Sequence, residues 1–406
     1  MELKEISKNE YDEFLKNIRN HSFYSTSKMA NVKSIDYAEP KLLGLVDNGK
    51  VLAVGMTLIR KLFISKRMDL FVGAYALEEK YEYIFYDKLK DYAKKMGAIK
   101  LLVKPDKLYS TMDQEGNIIS YGNLDFVDKM KEAGYIENDG SIINNYGISN
   151  YQFVKDISEF LPDDEEKLLK SFNNNARRKI KKAKELDIRV RPIKREELED
   201  FKKLTEDTAR NQGFSDKSLK YYTKFFDEFK DDVEYLTAEI DLDRSIKKLK
   251  DLIGSLDPNS KKNSQRIKSL EKDVKDLEEY KKDSDSNVIN LANMILIYQD
   301  DEAIYFYGGS IEKYHKLPGA FILQYEAMLR TMKRNLPIYN FFGVFFEGDN
   351  HDINSSKGIL RFKQNFNGYI IMKSDAFLYY PNPTKYKVLM KIKSIGHKVL
   401  DRFIKK

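Results

Sequence analysis

The chain has 406 residues, 42% of them hydrophobic, which is long and apolar enough for two or three domains with real cores and excludes global disorder. Lys and Arg number 71 against 64 Asp and Glu, a formal charge of +7 that permits an anionic partner such as RNA, a diphosphate or a membrane surface, and that fits a solvated mixed-charge surface equally well. There is no cysteine, which excludes disulfides, thiolate nucleophiles and cysteine-ligated zinc.

The first residues, Met1-Glu2-Leu3-Lys4-Glu5-Ile6, contain no apolar core of a signal peptide. No apolar run approaches the ~20 residues of a membrane span, so the expected location is the cytoplasm. Residues 1–150 alternate short strands and helices. Asp47-Asn48-Gly49-Lys50 between two apolar runs predicts a hairpin. Tyr81, Ile84, Phe85, Leu89 and Tyr92 predict a helix over 80–96, Ile99–Val103 a strand, and Gly116-Asn117 a turn. Residues 151–241 repeat the mixed pattern, with a helix near 163–185, a strand at 188–190, helices through 196–230 and a strand near 233–240.

Residues 242–286 differ in character. Leu242, Ile246, Leu249, Ile253 and Leu256 step by four and three, as do Ile267, Leu270, Val274 and Leu277, and Asp257-Pro258-Asn259-Ser260 separates the two runs. Heptad-like spacing around a turn predicts an antiparallel helical hairpin of two limbs of roughly 15 residues, and its narrow apolar seam favours projection from the domain over packing on it. Residues 287–380 return to the mixed pattern, with a hairpin at Asp300-Asp301-Glu302 and a helix over 317–335 carrying Pro318 in its first turn. Residues 381–406 set Val388, Leu389, Ile392 and Ile395 at helical steps among eight basic residues, a helix that suits an anionic membrane or the protein's own core equally.

Several chemistries have no motif here. There is no P-loop, no dinucleotide fingerprint and no His-Glu-x-x-His. The four histidines, His21, His315, His351 and His397, are scattered. The expected chemistry therefore uses no metal, no cofactor and no covalent intermediate. What remains is a set of cations with aromatic neighbours. Arg177, Arg178, Lys181 and Lys182 follow Asn173-Asn174-Asn175, which can cap a helix, and such a run is either a phosphate-contact surface or a charged solvent face.

Three further segments stand out: Tyr305-Phe306-Tyr307-Gly308-Gly309-Ser310, Tyr339-Asn340-Phe341-Phe342-Gly343-Val344, and Gly358-Ile359-Leu360-Arg361-Phe362-Lys363-Gln364-Asn365-Phe366-Asn367-Gly368. The last two read as a strand, a polar loop, a short basic turn with a fixed lysine, and a second strand. With Phe23 to Lys33, Phe126-Val127-Asp128-Lys129-Met130 before Gly134, Asn174 to Lys184, and Thr205 to Phe214, they resemble in order and spacing the Fem/Mur (FemABX) family of tRNA-dependent peptidoglycan aminoacyltransferases, in its FemA-like branch.

The resemblance covers nearly the whole chain. It implies an α+β fold of two GNAT-like domains, with a cleft between them and a helical-hairpin arm. The expected boundaries are 1–150 for the first domain, 151–241 and 287–380 for the second, 242–286 for the arm and 381–406 for the C-terminal helix. It implies transfer of an amino acid from aminoacyl-tRNA to the stem-peptide amine of lipid II or UDP-MurNAc-pentapeptide, which builds or branches the interpeptide bridge. It further suggests peripheral contact with the inner membrane face and a homo- or hetero-oligomer with related transferases. Ester aminolysis needs placement and a stabilised oxyanion, so Lys363 is the catalytic candidate. Lys33 and Arg210 are expected on diphosphate or carboxylate groups. Tyr305, Tyr307, Tyr339 and Arg361 are placed in the substrate cleft, and Gly308 and Gly309 allow close backbone approach or simply end a strand. Arg177, Arg178, Lys181 and Lys182 are expected on tRNA.

The chain also departs from the family pattern. It has Lys104-Pro105-Asp106 where many members carry Asp-Pro, and loop 345–357 differs. Two alternatives remain. An acyl-CoA-dependent N-acyltransferase should carry a Gly-rich pyrophosphate loop, which is absent. A noncatalytic RNA-binding or scaffold protein should be indifferent to Lys363→Met.

Overall fold

The computed structural model describes residues 1–36, 38–62, 65–138, 149–212, 215–344 and 353–392. The chain divides into two compact units, Met1–Gln152 with Ile370–Lys406, and Phe153–Tyr369.

The first unit runs β1 (Glu2–Glu5), α1 (Lys8–Leu15), α2 (Ser27–Lys33), β2 (Ala38–Asp47), β3 (Lys50–Leu62), β4 (Ser65–Leu70), β5 (Tyr75–Ala76), α3 (Glu79–Lys95), β6 (Ala98–Val103), β7 (Leu108–Met112), β8 (Ile118–Tyr121), α4 (Asp125–Glu132) and β9 (Ile136–Glu137). The β2–β3 hairpin turns on Asn48 (φ 46) and Gly49 (φ 80), two left-handed residues that match the strands' own twist. Helix α3 lays Phe85, Tyr86 and Leu89 onto Leu43, Leu70, Leu101 and Val103 of the sheet, which places one core between helix and strands.

The second unit runs β10 (Tyr151–Asp156, whose first two residues belong to the first unit), α5 (Glu165–Lys170), α6 (Asn174–Glu185), β11 (Arg189–Pro192), α7 (Leu198–Gln212), α8 (Leu219–Phe229), β12 (Val233–Asp241), α9 (Leu242–Gly254), α10 (Lys261–Lys282), β13 (Val288–Tyr298), β14 (Glu302–Ser310), α11 (Gly319–Lys333), β15 (Ile338–Val344) and α12 (Ile353–Gln364). Its strands follow the order β11-β12-β13-β14-β15-β10, antiparallel until β15 joins β14 in parallel. The chain then returns to the first unit with β16 (Tyr369–Lys373) and β17 (Phe377–Tyr379), the latter pairing with both β6 and β9.

Several expectations are corrected. Residues 370–380 belong to the first unit, because β17 completes its sheet; a strand returning from so far along the chain has no local signature. The helix expected over 163–185 is two, because the Asn173 side chain accepts from the Ala176 N–H at 2.9 Å and starts a new helix there. Pro318 precedes α11 as its N-cap rather than sitting in its first turn. Residues 359–364 form the last turns of α12, not a hairpin turn, since Ile-Leu-Arg-Phe-Lys-Gln are all residues that a helix accepts at little cost.

The arm is a hairpin of α9 and α10, with unequal limbs of 13 and 22 residues. Leu242, Ile246, Leu249, Leu270, Val274 and Leu277 are buried. The hairpin does not project freely. Arg244 pairs with Asp187 at 2.5 Å, Arg266 with Glu185 at 2.8 Å, and Ser245 donates to the Leu186 carbonyl at 2.6 Å. These bonds dock the arm on the C-terminal end of α6. Residues 383–392 are helical, with Val388, Met390 and Ile392 exposed and the Tyr386 ring 4.3 Å from that of Tyr380. The rest of the expected C-terminal helix, 393–406, lies outside the described residues, as do Gly213-Phe214 and most of loop 345–357.

Candidate active site

Lys363 is 4% exposed, in the last turn of α12. Its Nζ donates to the Phe342 carbonyl at 3.1 Å and to the Gly343 carbonyl at 2.5 Å, both at the end of β15. Burial pushes its pKa down to about 7. An ammonium has three hydrogens, and among the described residues these two carbonyls take two of them.

The strand end is built for this contact. Phe342 has φ 61, a left-handed conformation that costs a non-glycine residue about 1–3 kcal/mol. Asn340 holds it there, with its Oδ1 accepting from the Phe342 N–H at 2.8 Å and its Nδ2 donating to Glu302 at 2.8 Å. One turn beyond Lys363, Phe366 is fully buried against Phe341, Phe172 and Phe321, an aromatic nest that keeps water from this end of the helix.

The chain leaves α12 through Asn367, at φ 52, and Gly368. A Cβ at Gly368 would lie 2.3 Å from the Val154 carbonyl oxygen, whereas one at Gly358, an exposed position within α12, would meet nothing among the described residues within 4 Å. Gly368→Ala is therefore expected to lower stability by about 1–3 kcal/mol. Gly358→Ala is expected to raise it by about 0.5–1 kcal/mol through helix propensity. Denaturant melts of the two variants check the pair.

The basic helix begins beside this site. Asn173 caps α6, its N–H donates to the Asn365 carbonyl at 3.0 Å, and Asn173 and Asn175 both donate to Asn365 Oδ1. Ala176, Ile180 and Ala183 form the buried stripe of α6 and leave the basic residues outside. Arg178 and Lys181 are exposed, and Arg177 reaches Asn174 and the Lys170 carbonyl. Lys182 departs from its expected place. It pairs with Asp273 of the arm and with Glu185 at 3.4 Å, so it anchors the hairpin.

The other candidates separate. Tyr339 is fully buried and donates to Gln324 at 2.7 Å, a core position rather than a cleft wall. Arg361 is exposed, two residues from buried Lys363. Tyr305 and Tyr307 are half-buried on β14, where the Tyr307 ring meets Tyr222 edge-on and the Tyr305 hydroxyl is pushed up to about 12 by burial. Gly308 and Gly309 have packing reasons. A Cβ at the first would lie 2.6 Å from both the Tyr305 ring and the Asn293 carbonyl, and one at the second 2.4 Å from Thr208 Oγ1 of α7. Arg210 is exposed near the end of α7, 3.6 Å from Asp207. Lys33, in the first unit, is 6% exposed at the C-terminal end of α2, with its ammonium 4.5 Å from the Phe71 ring centre.

The sequence reading missed Asn340, Phe342 and Asn365 as supports, and two more buried lysines. Lys155 donates to the Asn367 carbonyl at 3.0 Å and is pushed down to about 8 by burial. Lys104, which stands at the departure from the family pattern, donates to Asn150 and to the Ser374 carbonyl in the first unit and is likewise pushed down to about 8. Lysine has no sequence signal for burial beyond aromatic neighbours such as Phe362 and Phe366 beside Lys363. Among the described residues no group of His, Asp or Glu is placed to hold a metal, and no helix is long and apolar enough to cross a membrane.

The fold is thus two mixed α/β units, the second with a buried lysine fixed on strand-end carbonyls. The model of the FemAB family matches residues 6–394, and the chain belongs to that family. It is 25% identical over 433 aligned positions to aminoacyltransferase FemA of Staphylococcus aureus strain N315, covering 98% of this chain and all of that one. It is 25% identical over the same span to FemA of strain MW2. The crystal structure of FemX is similar in fold, with a TM-score of 0.71 at 20% identity over 96% of this chain and 99% of FemX. The chain is an aminoacyltransferase of this family.

Proposed function

We propose that this protein transfers an amino acid from the ester of a charged tRNA to an amine of a peptidoglycan-precursor stem peptide, and so builds or branches an interpeptide bridge. The amine nitrogen attacks the ester carbonyl, the bond to the tRNA ribose oxygen breaks, an amide forms, and the proton lost by the amine ends on the ribose oxygen. The observation that carries this reading is Lys363: a buried ammonium, tied by two carbonyls, whose third N–H is assigned to the developing oxyanion. A donor already aimed before the reaction needs no reorganisation during it, which is why a fixed cation serves better than a mobile surface lysine.

Arg178 and Lys181, with Arg177 beside them, offer exposed charge to tRNA phosphates near the same end of α12. Arg210 and Lys33 remain the proposed contacts for anionic groups of the precursor. The acceptor is read as lipid-linked, and the protein as cytoplasmic and peripheral at the membrane. The helix at 383–392 supports this, exposing Val388, Met390 and Ile392 among Lys385, Lys387 and Lys391.

The test is a transfer assay. Purified protein is incubated with lipid II, or with UDP-MurNAc-pentapeptide, and with tRNA charged with glycine, alanine, serine or lysine. A ribonuclease-sensitive gain of one residue in precursor mass is expected. No gain with either acceptor from any pool, beside a working control enzyme, would overturn the reading for these substrates.

A further inference from the structure

The amide of Asn365 joins two elements that the proposed reaction uses separately. On one side its Nδ2 donates to the Arg361 carbonyl at 2.8 Å and to the Phe362 carbonyl at 3.1 Å, the two residues before Lys363. Those carbonyls are among the last of α12, and the Phe362 carbonyl also accepts from the Asn365 N–H at 3.2 Å, so this residue caps the helix end by backbone and side chain together. On the other side its Oδ1 accepts from Asn175 at 2.9 Å and from Asn173 at 3.2 Å, in and before the first turn of α6. Asn175 in turn accepts at its Oδ1 from the Arg178 guanidinium at 3.3 Å. The hydrogen bonds therefore run one way, from an exposed guanidinium through two side-chain amides to the helix carbonyls of the two residues before the buried lysine.

We propose that Asn365 is a positioning residue that couples occupancy of the basic helix α6 to the placement of Lys363. The proposal rests on the reading of Lys363 as the reacting cation and of α6 as the tRNA contact. A phosphate that draws Arg178 away removes the donor from Asn175 Oδ1. The Asn175 amide is then held by Asn365 alone, and the change reaches the α12 carbonyls through a single side chain. The Asn365 carbonyl, which accepts from the Asn173 N–H at 3.0 Å, fixes the same junction at the backbone. Lys155 braces the next turn by donating to the Asn367 carbonyl, while Asn367 Nδ2 donates to the Ser171 carbonyl at 2.9 Å. The junction is thus held on several sides, and Asn365 is the side chain that touches both helices. A shift of ~1 Å at a reacting group costs up to about a hundredfold in rate, so a small movement of α12 is enough to matter.

The experiment uses the full chain and two variants. Asn365→Asp keeps the acceptors for Asn173 and Asn175 but loses both donors to α12. Asn175→Ala leaves the α12 cap intact and cuts the link to Arg178; it also serves if the first variant melts too low. For Asn365→Asp, kcat at saturating substrates is expected to fall about tenfold or more, with KM for charged tRNA within about twofold of wild type, as loss of placement rather than of binding requires. Hydrogen exchange then reads the coupling without catalysis. Adding uncharged tRNA is expected to change protection of residues 361–366 in wild type and not in Asn175→Ala.

The inference is overturned if both variants keep the wild-type kcat, if KM rises with kcat unchanged, or if uncharged tRNA alters exchange at 361–366 equally in wild type and Asn175→Ala. Failure of the underlying reading shows differently. In that case wild type transfers nothing, or Lys363→Met is as active as wild type, whatever Asn365 does.

Discussion

Lys363→Met is expected to lower kcat by about a hundredfold to a thousandfold, the usual cost of losing one oriented donor to an oxyanion. The protein should stay folded. Although Lys363 is buried, two opposing effects keep the expected change small. The Lys363 ammonium is held near pKa 7 by burial, so at neutral pH the folded state bears a cost for its charge that an apolar side chain of similar length does not. Methionine leaves the Phe342 and Gly343 carbonyls without their donor, which opposes that gain. The net change at pH 7 is expected within about 1 kcal/mol. The pH dependence carries the sign. The folded pKa lies below the unfolded value, so between about pH 7 and 10.5 the unfolded chain binds more protons at this group and wild type gains stability as pH rises. Relative to Lys363→Met, that gain is up to about 1.4 kcal/mol per pH unit across the window, and the full cost persists below it. Urea melts of both proteins at pH 7, 8 and 9 check the slope; a constant difference would show that Lys363 does not titrate there.

The double variant Arg178→Ala with Lys181→Ala is expected to weaken tRNA binding uniformly across tRNA sequences and to flatten its salt dependence by about one unit of log–log slope per lost phosphate contact. Lys182→Ala is expected to do neither. Its ammonium is committed to Asp273 and Glu185, so its loss should loosen the arm from α6, seen as a lower melting temperature with the salt slope unchanged. The contrast separates two lysines one residue apart that composition treats alike. Binding titrations from 50 to 200 mM salt, about the range over which phosphate contacts dominate, read the slopes. Equal slopes in wild type and the double variant would remove α6 from the tRNA contact.

Much of the fold was legible because it is local. The Asn48-Gly49 hairpin, the α3 spacing and the heptad steps of the arm each depend on residues within a few turns of one another. The return of β17 to the first unit was not, since nothing in Phe377-Leu378-Tyr379 says which edge it pairs with. The candidate site was half legible. The segments at 305, 339 and 361 were singled out, and family resemblance put weight on Lys363. Yet the turn expected there is a helix, and Tyr339 within the same motif is core. A motif marks residues that matter without saying whether they touch a ligand or hold up those that do. Asn340 and Asn365 show the difficulty: an asparagine that caps, braces a left-handed residue or bridges two helices has the same letter as one in a loop, and only the partners brought from far along the chain distinguish them.

The most direct measurement is the pH dependence of kcat/KM for wild type, since that quantity reports groups of the free enzyme and substrate. An acceptor amine of ordinary pKa must be neutral to attack, so without help from the protein the rise would continue to about pH 10. A lysine required as a cation and titrating at about 7 cancels that gain above its own pKa. The profile is therefore expected to climb about tenfold per pH unit up to about pH 7 and to level off there, with the residual activity of Lys363→Met climbing straight through. An unbroken rise in wild type, or a Met variant with the same profile and rate, would contradict the role assigned to Lys363.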